Sequence, residues 1–428
     1  MSEQRKVRVN RNGNRNAPHN SGRPIRRNDT GRPVQHSNVQ HASGRHPNGH
    51  HPRKPKKKFR WWIPVLAIVC VMGISVGAAL GYVVSVIRSI TPSGQQEAQF
   101  NQEITTAPEF KGDVVNILLV GMDFEEGREY KVGKNGEKIG NTDMIMYVNY
   151  DLKNKKMNML QIPRDMFVND PVVCNINGVK KTYHVPAGKI NGLAFHNDDE
   201  YEALANVIAQ QLNLPVDYYA AIDMKALVSM VDTFGGIEIY VPQEIKGKGG
   251  SIPQGTHTLN GAAINFMLRQ RHMYADMDVG RLNTQRYFYS ALFKRVRTAT
   301  LGDIIKLMPV IKNYVTTNIP LSDMIALAYN FLSIDSSNIM VAQMPFYPCT
   351  KNFRAQEGKK NSGYWVGVPD RQGTADLLNQ YFRTYTGEVP AEELDLQDNW
   401  PHQSMATSPN IQFMGQLDQA GSSTNNAA

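Results

Sequence analysis

Residues 61–87 form a run of 27 positions without a single Asp, Glu, Lys or Arg, and this run divides the chain. As a helix rising about 1.5 Å per residue it reaches roughly 40 Å, more than the roughly 30 Å of hydrocarbon in a bilayer. Trp61 and Trp62 at one end and Tyr82 near the other suit the interfacial aromatic belt, and Pro64 falls in the first turn, where a missing N–H costs little. The run is expected to be a retained transmembrane helix. A buried core helix is the alternative, and the roughly 60 residues before the run argue against a cleaved signal, whose basic segment is short.

The flanks set the orientation. Residues 1–60 hold 16 Lys+Arg against only Glu3 and Asp29, a net of +14, whereas the remaining 368 residues carry 31 Lys+Arg against 36 Asp+Glu, a net of −5. The positive-inside rule puts residues 1–60 in the cytoplasm and everything after about residue 90 on the far side of the cell membrane. Residues 1–60 are rich in Asn, Gly, Pro and Ser, with almost no large apolar side chain before Phe59, so they read as a disordered basic tail. Lys56, Lys57 and Lys58 beside a span suit anionic lipid better than nucleic acid. The histidines of this tail lack regular spacing, which argues against a metal site.

Residues 88–110 read as a polar stalk, 111–390 as the folded domain, and 391–428, low in apolar content, as a disordered C-terminal tail. Cys70 is in the span, and Cys174 and Cys349 are either paired or free. Segment 114–120 is a nearly continuous apolar run, as in a strand covered on both faces, and 144–150 and 157–162 are two more strands joined by a turn. Helical periods occupy 200–212, 224–233, 259–267, 281–298 and 321–331, and strand-like segments 218–222, 237–241 and 339–342 alternate with them. The fold class is therefore α/β, a central mixed sheet flanked by helices in an α/β/α sandwich, preceded by one transmembrane helix.

Two clusters carry chemistry. If 144–150 pairs antiparallel with both 114–120 and 157–162, then Asp123, Asp143, Arg164 and Asp165 meet at one end of the sheet. Two hard oxygen ligands on strand ends are what Mg2+ takes from a protein when phosphate oxygens and water complete its shell, and Arg164 offers a planar fork to phosphate. Asp123 and Asp143 are equally the turn-capping residues common at strand ends. The second cluster runs from Arg269 and Arg271 through Asp278 and Gly280 to Arg281 and Gln285. Asp278 is a natural N-cap, Gly280 leaves the helix start open to an anion, and Arg281 and Gln285 share a helix face at i, i+4. A capped helix with solvated arginines is the plainer alternative. Together the clusters suit a pyrophosphate with its metal.

The residues resemble a known family. Asn116-Ile-Leu-Leu-Val-Gly-Met-Asp123, Thr142-Asp143, Ile162-Pro-Arg-Asp165, Lys189-Ile-Asn191, Val231-Asp-Thr-Phe-Gly-Gly236, Leu259-Asn-Gly261 and Arg269-Gln-Arg271 through Asp278-Val-Gly-Arg281 and Gln285 look like the successive motifs of the LytR-CpsA-Psr family. The resemblance implies a membrane-anchored phosphotransferase that moves teichoic acid or another anionic glycopolymer from a polyprenyl pyrophosphate carrier to peptidoglycan. It further implies that Asp123 and Asp143 hold Mg2+, with Mn2+ as the alternative. Arg164, Arg269, Arg271, Arg281 and Gln285 would bind the pyrophosphate, Asp278 would orient the arginines or accept the sugar hydroxyl proton, and apolar helices would take the polyprenyl chain.

Three departures stand out. Asn141 and Thr284 occupy positions where the family usually has arginine, with Arg286 as a nearby substitute for the second, and 124–140 is a long segment expected to be mobile at the site mouth. Competing readings are a polyprenyl-pyrophosphate hydrolase, a non-catalytic anionic-polymer-binding protein and a membrane-bound transcriptional regulator. No nucleic-acid partner is expected, because the arginines of the folded domain lie across the membrane from DNA.

Overall fold

The structure of the protein, a computed structural model, describes residues 113–122, 131–132, 138–139, 141–195, 197, 200–270, 278–360 and 362–420, together with Gly81, Tyr82 and Ser85. The expected tail and stalk lie outside these residues, as does the expected span apart from Gly81, Tyr82 and Ser85, which are helical. Among the described residues no helix is long and apolar enough to cross a membrane.

The apolar run after residue 113 forms strand β1 (Val114–Met122), and the next two form β2 (Thr142–Asp151) and β3 (Lys156–Ile162). β2 is antiparallel to both neighbours. The β2–β3 turn is held by Asp151, whose Oδ1 accepts from the Asn154 amide at 2.8 Å, a use of Asp typical of turns. Four further strands, β4 (Tyr218–Asp223), β5 (Val315–Thr317), β6 (Ile339–Gln343) and β7 (Gln412–Phe413), complete a seven-stranded sheet in the order β5-β4-β1-β2-β3-β6-β7. β1 is parallel to β4 and β3 to β6, so the sheet is mixed. The C-terminal ends of β1, β3, β4 and β6 and the start of β2 therefore share one edge.

Alternation along the strands sorts side chains into two cores. Leu118, Val120, Tyr147 and Leu160 pack with α1 (Tyr201–Leu212) on one face. Ile117, Met146, Val148 and Met159 pack on the other with α2 (Met224–Thr233), α3 (Gly261–Arg269) and α4 (Asp278–Arg297). Leu118 and Leu160 are fully buried, each such side chain contributing about 1.5–3 kcal/mol. Helices α5 (Leu301–Tyr314) and α6 (Leu321–Phe331) follow α4, α7 (Arg371–Tyr381) lies on the α1 side, and α8 (Met414–Ala420) ends the described chain. The α/β class and the helix-flanked mixed sheet agree with the sequence.

Several expectations are corrected. Segment 237–241 is a strand, but it pairs with Gly255–Leu259 in a separate ribbon and not in the central sheet. Leu259 therefore belongs to that ribbon, and α3 starts at Gly261 because the Asn260 side chain caps it, accepting from the Ala263 amide at 2.9 Å. Most of 124–140, the segment expected to be mobile, lies outside the described residues; within it Lys131–Val132 and Lys138–Ile139 pair antiparallel. Residues 391–420 are not a disordered tail. Leu394, Leu396, Met414 and Leu417 are buried, and β7 adds to the open side of β6. Few apolar residues suffice there because those present join the two main cores, Leu394 and Leu396 on the α1 side and Met414 and Leu417 on the other. Cys174 and Cys349 are free and buried. Burial pushes the Cys174 thiol up to about 12, so it packs as a small apolar group and not as a nucleophile.

Candidate active site at the sheet edge

The edge where β1, β3 and β4 end and β2 begins collects the polar groups. β1 reaches it through a register shift between Gly121 and Met122. A side chain at Gly121 would bring its Cβ to 2.9 Å from the Met144 Cβ, so the close approach of the two strands requires glycine there. Asp143, second residue of β2, and Arg164, two residues past β3, come together as the antiparallel register dictates: the Arg164 Nη1 donates to the Asp143 Oδ1. Asp143 retains 20 % of its side-chain exposure and Arg164 14 %, so the pair sits at a mouth and not in the core.

The contacts continue past Arg164. Its Nε lies 3.7 Å from the Asp165 Oδ2, and the Lys189 Nζ donates to the Asp165 Oδ1 at 2.6 Å. Asp143, Arg164, Asp165 and Lys189 thus form an alternating chain of charges. Lys189 sits in a quoted motif, yet its partner was not readable from the sequence, because a loop and not a strand register carries it to Asp165. Asp223 was also missed. It is the register partner of Met122 at the end of β4, its side chain caps α2 by accepting from the Lys225 amide at 2.8 Å, and burial raises its carboxyl above the usual range.

The second cluster reaches the same edge through α4. The Gln161 Nε2 on β3 donates to the Leu282 carbonyl at 3.3 Å, tying the first turns of α4 to the strand that ends just before Arg164. Arg281 and Gln285 are both buried, at 3 % and 6 % exposure, and Gln285 Oε1 accepts from the Tyr289 hydroxyl at 3.3 Å. Arg269 closes α3 and is half-buried, and burial lowers its guanidinium from the ordinary arginine value. Asp278 is the first residue of α4 and not its cap. Asp123 and Arg271 lie outside the described residues, as does the side chain of Asp278.

Arg286 does not stand in for the arginine missing at Thr284. It is fully buried, its Nε donates to Gln161 Oε1 at 2.7 Å, and its Nη1 donates to the Asn410 carbonyl and, at 3.3 Å, to Gln412 Oε1. It pins α4 to β3 and to β7. Thr284 turns inward too, its hydroxyl donating to the Gly280 carbonyl at 3.1 Å. As for a metal, Asp143 offers a hard oxygen donor at the mouth; among the described residues no three His, Cys, Asp or Glu side chains cluster as a ligand set.

An α/β domain with an arginine–carboxylate pair at the C-terminal edge of its sheet, and α4 tied to the strand that leads to it, is the class defined so far. The LytR_cpsA_psr family model matches residues 83–380, and the chain belongs to this family. The Regulatory protein MsrR of Staphylococcus aureus (strain COL) is 29 % identical over 247 residues, which cover 56 % of this chain and 68 % of that protein. The polyisoprenyl-teichoic acid–peptidoglycan teichoic acid transferase TagU of Oceanobacillus iheyensis is 26 % identical over 287 residues, covering 65 % of this chain and 82 % of that one. Protein gbs0355 of Streptococcus agalactiae has the same fold, with a TM-score of 0.50 and 22 % identity over 70 % of this chain and 95 % of that one.

Proposed function

We propose that this protein is a membrane-anchored phosphotransferase that moves an anionic glycopolymer from a polyprenyl pyrophosphate carrier to peptidoglycan outside the cytoplasm. Family membership and the name of the TagU relative support the reaction class. The observation that carries the reading is the contact of Arg164 with Asp143 at the start of β2, on the edge where Gln161 also secures α4.

The acceptor sugar hydroxyl attacks the phosphorus that bears the polymer. A new O–P bond forms, the bridging P–O bond of the pyrophosphate breaks, and polyprenyl phosphate leaves with the electron pair. Arg164, Arg269, Arg271, Arg281 and Gln285 hold the phosphate oxygens, where positioning and charge neutralisation are most of what phosphoryl transfer requires. Asp278 orients these arginines or takes the hydroxyl proton. Asp123 and Asp143 are the residues that would hold Mg2+, or Mn2+, which would neutralise further phosphate charge; one or two carboxylates are the usual protein share of such a site.

The test uses the full chain in detergent with a lipid-linked polymer and peptidoglycan fragments. Arg164→Ala and Arg269→Ala should each lower transfer by about 10²–10³-fold with an unchanged far-UV circular dichroism spectrum. Full activity in both variants would remove the basis of the proposal. Chelation should abolish transfer, with recovery on adding Mg2+ or Mn2+. Product analysis without peptidoglycan separates a hydrolase, which releases polymer phosphate to water, from a transferase.

A further inference from the structure

Past the sheet edge the chain makes a second, smaller hairpin, Phe346–Pro348 with Gly367–Pro369, whose connecting loop returns to the site. Gly367 bridges Met166 in parallel: its amide donates to the Asp165 carbonyl at 2.8 Å, and its own carbonyl accepts from the Phe167 amide at 2.8 Å. Arg164 and Trp365 each stand two residues before this bridge. Because the two chains run in the same direction there, Trp365 approaches the bridge from the same end as Arg164.

Trp365 keeps 38 % of its surface exposed, whereas Phe346, against which its ring packs edge-on at 6.1 Å and 86°, is buried. Phe346 in turn lies on Gly367, where a Cβ would come within 2.9 Å of the ring. An indole resting on a buried ring has less rotamer freedom to give up when a ligand arrives, which lowers the ordering cost of binding. The loop 349–366 adds Lys351, Arg354, Lys359 and Lys360 against Glu357 alone, and the three lysines are exposed.

The side of the sheet matters. Phe346 belongs to the core on the α1 face, whereas α3 and α4, which bear Arg269, Arg281 and Gln285, pack on the opposite face. In-line displacement puts the acceptor opposite the leaving group, so a leaving polyprenyl phosphate held on the α3–α4 side faces an acceptor arriving from the Trp365 side.

We infer that Trp365 is the platform on which a pyranose ring of the acceptor glycan stacks, with the lysines of its loop facing the carboxylates that such a glycan carries. The inference rests on the transferase reading for its orientation. The experiment pairs two measurements on the full chain in detergent. In transfer kinetics, Trp365→Ala should raise the acceptor KM about tenfold and leave the donor KM unchanged, with Trp365→Phe recovering most of the loss. In saturation-transfer NMR with a tetrasaccharide of β-1,4-linked N-acetylglucosamine, the ring protons should receive saturation from the wild type and not from Trp365→Ala. An unchanged acceptor KM, a rise in the donor KM alone, or equal saturation from both proteins overturns the platform. A wild type that makes no polymer-linked glycan defeats the transferase reading instead, and the NMR comparison still decides the platform.

Discussion

Arg281 and Arg286 stand five positions apart on α4, and both are buried, yet their surroundings differ. Arg281 lies in the first turn, next to Leu282, whose carbonyl accepts from Gln161, whereas Arg286 spends its guanidinium on Gln161, Asn410 and Gln412. Burial pulls the Arg286 guanidinium down to about 10, still cationic at neutral pH. Arg286→Ala would leave the Gln161 and Asn410 oxygens buried without that donor, at about 1–3 kcal/mol each, and would open a cavity besides. The expected result is a fall in Tm of roughly 10 °C, read by calorimetry or circular dichroism; a Tm within about 1 °C of wild type would show that Arg286 pins nothing. The distinction between the two arginines was invisible in the sequence. Both sit in one basic motif, and only the partner, a glutamine 125 residues earlier in the chain, marks Arg286 as structural.

At the level of secondary structure, what could be read followed apolar periodicity. α2 and α6 have the bounds expected from the sequence, and β1 to β3 differ by a residue or two, because their apolar side chains repeat at the spacing of the surface they cover. The Asp143–Arg164 contact was readable for the same reason, since antiparallel pairing of neighbouring strands fixes which ends meet. α5 escaped, with Pro309 inside it, although the Thr300–Asp303 capping box marks its start. α7 escaped because Gly373 and Thr374 dilute its pattern. The Arg371 side chain at its start reaches the C-terminal segment through its Nε, which donates to Asp398 Oδ2 at 2.7 Å. That hydrogen bond holds the Asp398 carboxyl below the usual carboxylate value. A depressed folded value means that the bond contributes stability above the unfolded aspartate pKa, near 3.9, and that the contribution is lost as pH falls through the lower folded value. Protection from hydrogen exchange at 394–398, taken relative to the intrinsic rate at each pH, should therefore fall on acidification across that window, and Asp398→Asn should show the lower protection already at pH 7. Exchange in the variant that matches wild type at both pH values would rule out the clasp.

For the molecule as a whole, the folded unit extends well past the residue 390 expected from composition. Leu394, Leu396, Met414 and Leu417 are buried, and at about 1.5–3 kcal/mol each their removal costs as much as the whole stability of an ordinary domain. A chain ending at residue 390 should therefore not fold: it should bind a hydrophobic dye and lack a cooperative melt, whereas one ending at residue 420 should melt like the full protein. A cooperative melt in the shorter chain would refute this. The arrangement also bears on how the sheet is kept to itself. β7, only Gln412–Phe413, covers part of the side of β6 that β3 leaves open, so without it that backbone edge is bare. A molecule clipped before residue 412 would offer those free amides and carbonyls to any neighbouring polypeptide, so two residues distant in sequence from the rest of the sheet act as its guard against self-association.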